Sequence, residues 1–175
     1  MNGIIGMARA LDFAARRHAG QRRKGLSAEP YVNHLTEVAL LLAEASDGKD
    51  PELVMAGLLH DTIEDTDTTR AELVEAFGEE VAGLVFEVTD DTSLPREERK
   101  RQQVRTAPSK SLRARMIKLA DKIANLHSIA VSPPVGWSGR RKREYVAWAR
   151  EVAAACGPTN RMLEELFFEA ARALD

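Results

Sequence analysis

Apolar positions recur along this chain at three- and four-residue intervals, with no convincing run at alternate positions. Ile4, Ile5, Ala8, Leu11 and Ala15 share one helical face, which predicts a first helix to about Ala19. Two glycines and Pro30 punctuate GQRRKGLSAEP as a polar loop. A second helix is expected from near Tyr31 through VALLLAEA. After the turn SDGKD, Pro51 suits the first turn of the next helix, PELVMAGLLHDTIED, which reads as one piece. Asp67 or Thr68 is the expected cap of a short helix ending at Gly78, and GEEVAGLVFEVTD reads as another. Pro95 starts REERKRQQVRTA. SLRARMIKLADKIANLHSIA is strongly periodic over about five turns. RRKREYVAWAREVAAA and TNRMLEELFFEAARAL close the chain. The pattern predicts an all-α domain of about eight to ten helices spanning residues 1–175, with no repeat and no dividing linker.

Composition narrows the class. A chain of 175 residues is enough for one sizeable core and short for two ordinary domains. Aromatic residues are only 5%, and runs of Ala, Leu, Glu and Arg favour helix over strand. The net charge of −2 argues against a dedicated nucleic-acid binder. Local basic clusters at Arg16, Arg17, Arg22, Arg23 and Lys24, and at Arg96, Arg99, Lys100 and Arg101, suffice for a small anion. The single cysteine, Cys156, excludes an internal disulfide framework and any Cys-rich zinc site. No apolar run approaches the roughly 20 residues of a membrane span. The first residues mix Arg and Asp into their apolar positions, unlike a signal peptide, so a cytoplasmic protein is expected.

The chemistry centres on His60-Asp61, at the end of the apolar stretch MAGLLHD. Imidazole nitrogen and carboxylate oxygen are both good ligands for one borderline-to-hard cation. His34 in PYVNH and Asp121 in KLADKIANL are the candidates to complete the set, since a carboxylate among apolar neighbours needs a partner or a metal. Taken singly, the pair is an accident of sequence, His34 a core histidine, and Asp121 an ion-pair partner of Lys118 or Lys122. Together the four make a mixed nitrogen and oxygen sphere that suits Mn²⁺, Fe²⁺ or Zn²⁺ better than Ca²⁺ or Mg²⁺. Glu64 and Asp65 follow His60 and Asp61 by four residues. If the helix continues, they project towards the same place, where a carboxylate can orient water or carry its proton. Asn125, four residues after Asp121, is placed to hydrogen-bond a phosphate or ribose hydroxyl.

The strings FAARRHAGQRRKG, PYVNH, AGLLHDTIEDTDTT, FGEEVAGLVFEVTDD, LPREERKRQQV, KLADKIANL, GWS, REYVAWA and TNRMLEE resemble the small stand-alone HD-type hydrolases of the stringent-response alarmone (p)ppGpp, relatives of the Rel/Spo hydrolase domain. HD alone is a weak signal, whereas HDTIEDT with the upstream QRRK and PYVNH is specific. The resemblance implies a helical fold and a Mn²⁺ site of His34, His60, Asp61 and Asp121. It implies Glu64, Asp65 and Asn125 as catalytic groups. It also implies substrate contacts from Arg23, Lys24, Arg96, Asn125 and Tyr145. The implied reaction is hydrolysis of the 3′-pyrophosphate of ppGpp or pppGpp, giving GDP or GTP and pyrophosphate, without a synthetase half. Two features depart from the pattern. Leu35 stands where a proline usual in the family follows the histidine, which should alter only the helix start. His127 stands where many relatives have arginine, which is expected to remove a fixed positive charge near the pocket and so bears on substrate preference.

Two further readings stay open. The same chemistry could serve (p)ppApp or the 2′-phosphate of NADPH. A non-catalytic alarmone sensor is the reading from another class, against which the complete ligand set argues. The partner is expected to be a small-molecule nucleotide, with no nucleic acid and no membrane. The oligomeric state is open, with Trp137 and Trp148 or Phe167 and Phe168 as candidate homodimer contacts, although core packing is the simpler reading for both groups.

Overall fold

The computed structural model describes residues 3–175. Ten α-helices and one 3₁₀ turn follow one another: α1 (Gly3–Arg17), α2 (Val32–Ala45), α3 (Pro51–Leu59), α4 (Thr62–Asp65), α5 (Arg70–Phe77), α6 (Glu79–Val88), α7 (Arg96–Thr106), the turn Ala107–Ser109, α8 (Leu112–Val131), α9 (Gly139–Cys156) and α10 (Arg161–Arg172). No strand occurs among the described residues, only isolated bridges Arg22–Pro30 and Gly25–Pro134.

The helix starts follow local chemistry. Asp50, Ser111, Ser138 and Asn160 each accept a backbone N–H from the third residue on, as capping side chains do. The cap of α5 is Thr69, not Asp67 or Thr68. Glu72 decides this, because its carboxylate reaches back to the Thr69 N–H and completes a reciprocal capping box. The expected single helix over 51–65 is interrupted at His60-Asp61. His60 Nδ1 lies 2.8 Å from the Gly57 carbonyl and Thr62 Oγ1 donates to the Leu59 carbonyl at 2.7 Å. These side chains compete for carbonyls that would otherwise continue the ladder. Both residues stay in the right-handed region, so the chain turns without reversing.

The core lies between α8 and α3. Every residue of α3 from Leu53 to Leu59 is buried, the pattern of a helix covered on all sides. It packs on α1, α2, α6 and α8, while α8 also meets α2, α6, α9 and α10. Gly57 lets α2 and α3 close up, since a Cβ there would sit 2.5 Å from Leu42 Cδ1. Leu35 is fully buried in this core, and α2 begins at Val32 without a proline after His34. A smaller cluster of Ala107, Val152 and Cys156 joins α9 to the 3₁₀ turn. No helix among the described residues is long and apolar enough to cross a membrane.

Candidate metal centre and cleft

Three separate segments converge beneath a cleft of about 610 Å³. His34 comes from the first turn of α2, His60-Asp61 from the interruption after α3, and Asp121 from the middle of α8. His34, His60 and Asp121 each offer one ligand atom within 4.8 Å of the others. His34 Nε2 is 3.3 Å from Asp121 Oδ1 and His60 Nε2 is 3.8 Å from it. Asp61 Oδ2 adjoins the same space, 3.0 Å from His60 Nε2 and 3.7 Å from His34 Nε2. The four predicted ligands are therefore brought together.

The donors fit a divalent cation. The Gly57 carbonyl can only accept, so His60 Nδ1 carries a hydrogen and Nε2 is the nitrogen left to face a cation, which would replace its proton. That Nε2 is buried and has no hydrogen-bond partner. Burial acts to lower the His60 pKa, yet Asp61 and Asp121 overcome it and push it up to about 10. Positive charge is thus strongly favoured between the two carboxylates, where a cation would sit. Burial would raise Asp121, but Lys122, followed by the two imidazoles, holds it well below the ordinary carboxylate range. Burial lowers the His34 pKa and outweighs Asp121, which keeps that imidazole neutral and able to ligate.

Several groups hold these candidate ligands in place. Tyr31 donates to Asp61 Oδ2 at 2.6 Å, and its ring stacks on buried His18 at 5.1 Å between centroids. His18 Nδ1 contacts Gln21 Oε1 at 2.7 Å, and Gln21 Nε2 donates to the Asp65 carbonyl at 2.7 Å. Asn125 Nδ2 donates to Asp121 Oδ1 at 2.6 Å, while Asn125 Oδ1 accepts from Arg23 at 3.0 Å. Lys122, only 3% exposed, donates to Asp121 Oδ2 at 2.7 Å. Lys118 pairs elsewhere, with Asp90 at 3.1 Å.

The remaining predicted residues line the same cleft in different postures. Glu64 accepts from the Asp90 N–H at 3.1 Å and from Arg99 at 3.4 Å. Burial, then Asp90, raises its pKa to about 7. Asp65 also lies above its ordinary value, through burial and then Asp61. Lys24 stands on the exposed rim, where its carbonyl accepts from Val135 N–H at 2.9 Å. Gly25 beside it permits that approach, since a Cβ there would lie 2.3 Å from the Ser132 carbonyl. Arg96 is exposed and lines the cleft. Tyr145 sits between Trp137 and Trp148, at 5.7 and 5.4 Å. Both tryptophans line the cleft, Phe167 is buried in the core, and Phe168 is exposed.

Position 127 corrects one expectation. His127 is absent from the cleft wall and pairs with Glu37 of α2 at 2.7 Å, so position 127 faces α2 and not the pocket. Sequence reasoning missed Tyr31 as a ligand holder, Arg99 as the partner of Glu64, and Asp90 as the hub joining Lys118 and Gln103. The two lysines flanking Asp121 in an apolar helix were the available signal for buried pairing. Nothing local points to Tyr31 or Asp90.

Comparison with known proteins adds independent findings. Residues 10–149 match the family described as HD domain. The chain is 49% identical over 156 residues to guanosine-3′,5′-bis(diphosphate) 3′-pyrophosphohydrolase MESH1 of Homo sapiens, covering 89% of this chain and 87% of that protein. It is 41% identical over 126 residues to the guanosine-3′,5′-bis(diphosphate) 3′-pyrophosphohydrolase of Aquifex aeolicus, covering 70% of this chain and 18% of that longer protein. A solved structure described as "A metazoan ortholog of SpoT hydrolyzes ppGpp and plays a role in starvation responses" superposes with TM-score 0.92 and 42% identity, covering 95% of this chain and 94% of the other. The structure of lmo0812 from Listeria monocytogenes gives TM-score 0.67 at 29% identity, covering 83% of this chain and 98% of the other.

Proposed function

The chain belongs to the HD domain family, and within it to the guanosine-3′,5′-bis(diphosphate) 3′-pyrophosphohydrolases, and we propose that it removes the 3′-pyrophosphate of ppGpp and pppGpp, with Mn²⁺ as its cation. On this reading residues 1–175 form one catalytic domain working in the cytoplasm on a small-molecule nucleotide. The observation that carries it is the buried, partnerless Nε2 of His60, facing two carboxylates and a second imidazole at the floor of a basic cleft.

His34, His60, Asp61 and Asp121 would hold the ion, which when bound supplies a lowered pKa for water and polarisation of a phosphoryl oxygen. Glu64 is the proposed proton acceptor. Burial and Asp90 put its pKa near the working pH, at about 7, where a general base is most effective. Arg99 holds one oxygen of that carboxylate and the Asp90 N–H the other, so the group is oriented before substrate arrives. Asp65 stands next to Tyr31 and Asp61 and shares the task of aligning water. Asn125 fixes Asp121 with its amide N–H and orients Arg23 with its carbonyl, which leaves the Arg23 guanidinium over the cleft for a phosphate. Lys24 and Arg96 extend the positive rim, and Tyr145 offers a ring face to the base or ribose.

The test is a side-by-side assay of ppGpp, ppApp and NADPH with Mn²⁺, for the wild type and Asp61→Ala. GDP and pyrophosphate from ppGpp are expected, with turnover lost in a still helical Asp61→Ala variant. Near-wild-type activity of that variant in chelated buffer would exclude the metal mechanism. Tight nucleotide binding without turnover under any metal would make the protein a sensor.

A further inference from the structure

Glu64 stands among charges whose pairing does not follow stability alone. The charged groups facing it are Asp61 just before α4, Asp90 just after α6, Arg99 on α7 and Lys118 on α8. Lys118 is the buried cation of this set, 7% exposed. Its ammonium is bonded to Asp90 Oδ1, at 3.1 Å. The other Asp90 oxygen accepts from Gln103 of α7, so that carboxylate is held from two sides. Lys110 and Lys122 also face Asp90 but bond elsewhere, to the Glu87 carbonyl and to Asp121. Towards Glu64, Asp90 presents its backbone N–H, at 3.1 Å.

Two carboxylates and one buried ammonium thus share the wall of the cleft. Pairing Lys118 with Glu64 would favour the ionised form of Glu64, and a neutral residue at 90 would remove a like charge beside it. The fold does neither. The helix that grips both carboxylates is also not arranged for its own stability. No residue of α7 is buried. Arg99 Nε and Gln103 Oε1 are buried atoms without a hydrogen-bond partner among the described residues, and such atoms cost free energy. Local rules broken together at one place in a cleft point to a functional demand.

We propose that Asp90 is a positioning residue acting through Glu64: its carboxylate intercepts the Lys118 ammonium while its N–H aims the Glu64 carboxylate, so Glu64 stays a proton acceptor instead of a salt-bridge partner. The inference rests on the functional reading above and deepens it. With Asn at position 90 the like charge is gone and Lys118 is released towards Glu64. Both changes hold Glu64 ionised to lower pH and make it a weaker base.

The experiment follows the Glu64 carboxyl carbon by NMR through a pH titration of the metal-free protein, with Glu64→Gln assigning the signal. Wild-type Glu64 titrates at about 7. In Asp90→Asn the midpoint moves about one pH unit or more to the acid side. In Asp90→Asn/Lys118→Met, which removes the ammonium as well, it lies between the other two. With Mn²⁺ and ppGpp, the acid limb of kcat moves the same way in Asp90→Asn while KM stays within about twofold. A side chain needed only for folding would lower kcat at every pH and leave the limb in place. An unmoved midpoint or limb in Asp90→Asn, or a double variant titrating no higher than the single one, overturns the role of Asp90 while the proposed function stands. If Asp90→Asn does not fold, the double variant decides, and a midpoint at or above that of wild type overturns the role. If the wild type leaves ppGpp intact, the functional reading fails, and the NMR midpoints still decide whether Asp90 keeps Lys118 from Glu64.

Discussion

Removing one oxygen from Tyr31 tests whether Asp61 is held ready for a cation. In Tyr31→Phe the ring can keep its stacking on His18 and its edge contact with His34, at 5.1 and 5.6 Å between centroids. Only the hydroxyl that donates to Asp61 Oδ2 at 2.6 Å is lost. Burial, and then Asp61, raise the phenol far above its ordinary range, so it is a donor at every working pH. The Asp61 side chain is 17% exposed, so without that bond its carboxylate can turn towards water. The cation must then draw it back. A hydrogen bond to a charged acceptor is worth about 1.5–3 kcal/mol. At about 1.4 kcal/mol per decade, Mn²⁺ affinity should fall about ten- to a hundredfold, the usual effect of losing a partner behind a metal ligand. The assay strips the protein with chelator and titrates Mn²⁺ in competition with a fluorescent indicator, alongside a circular dichroism spectrum of the metal-free variant. Affinity within twofold of wild type, with helicity unchanged, would refute the role assigned to Tyr31.

Glu64→Gln should cut turnover about a hundredfold or more by removing the proposed general base. In metal-free protein the same change has a signed pH signature. The folded-state pKa of Glu64 is raised from 4.5 to about 7, so its contribution to stability is full below 4.5 and lost as pH rises through 7. Gln carries no charge, so the variant should gain about 3 kcal/mol over wild type at pH 8 relative to pH 4.5; a pH-independent difference in denaturant midpoints would contradict this. Lys122→Met breaks a buried pair and should cost about 3–5 kcal/mol in urea unfolding with chelator. Added Mn²⁺ should recover part of that loss, and a loss no smaller with Mn²⁺ would remove Asp121 from the ligand set. Gly57→Ala puts a Cβ 2.5 Å from Leu42 Cδ1 and should cost about 1–3 kcal/mol by overpacking, read as a lower melting temperature.

The helices, and the strings that carry the candidate ligands, were legible in the chain because periodicity is local. A stretch such as MAGLLHD or KLADKIANL states by its own spacing which side is buried, and a polar residue inside it announces a need for a partner. The roles of Arg23, Lys24, Arg96 and Tyr145 came by resemblance alone, since no spacing tells a basic residue on a cleft from one on an outer face. Tertiary structure decided which partner each polar residue meets. Lys118 and Lys122 sit on the same helix as Asp121, yet only Lys122 pairs with it, because α6 ends where Asp90 can take Lys118. His127 turns to Glu37 on α2 and not to the cleft, and Glu64 turns to Asp90 and Arg99. Such choices depend on where segments distant in the chain cross. The crossing is set by packing details such as the missing Cβ of Gly57, which no single segment contains.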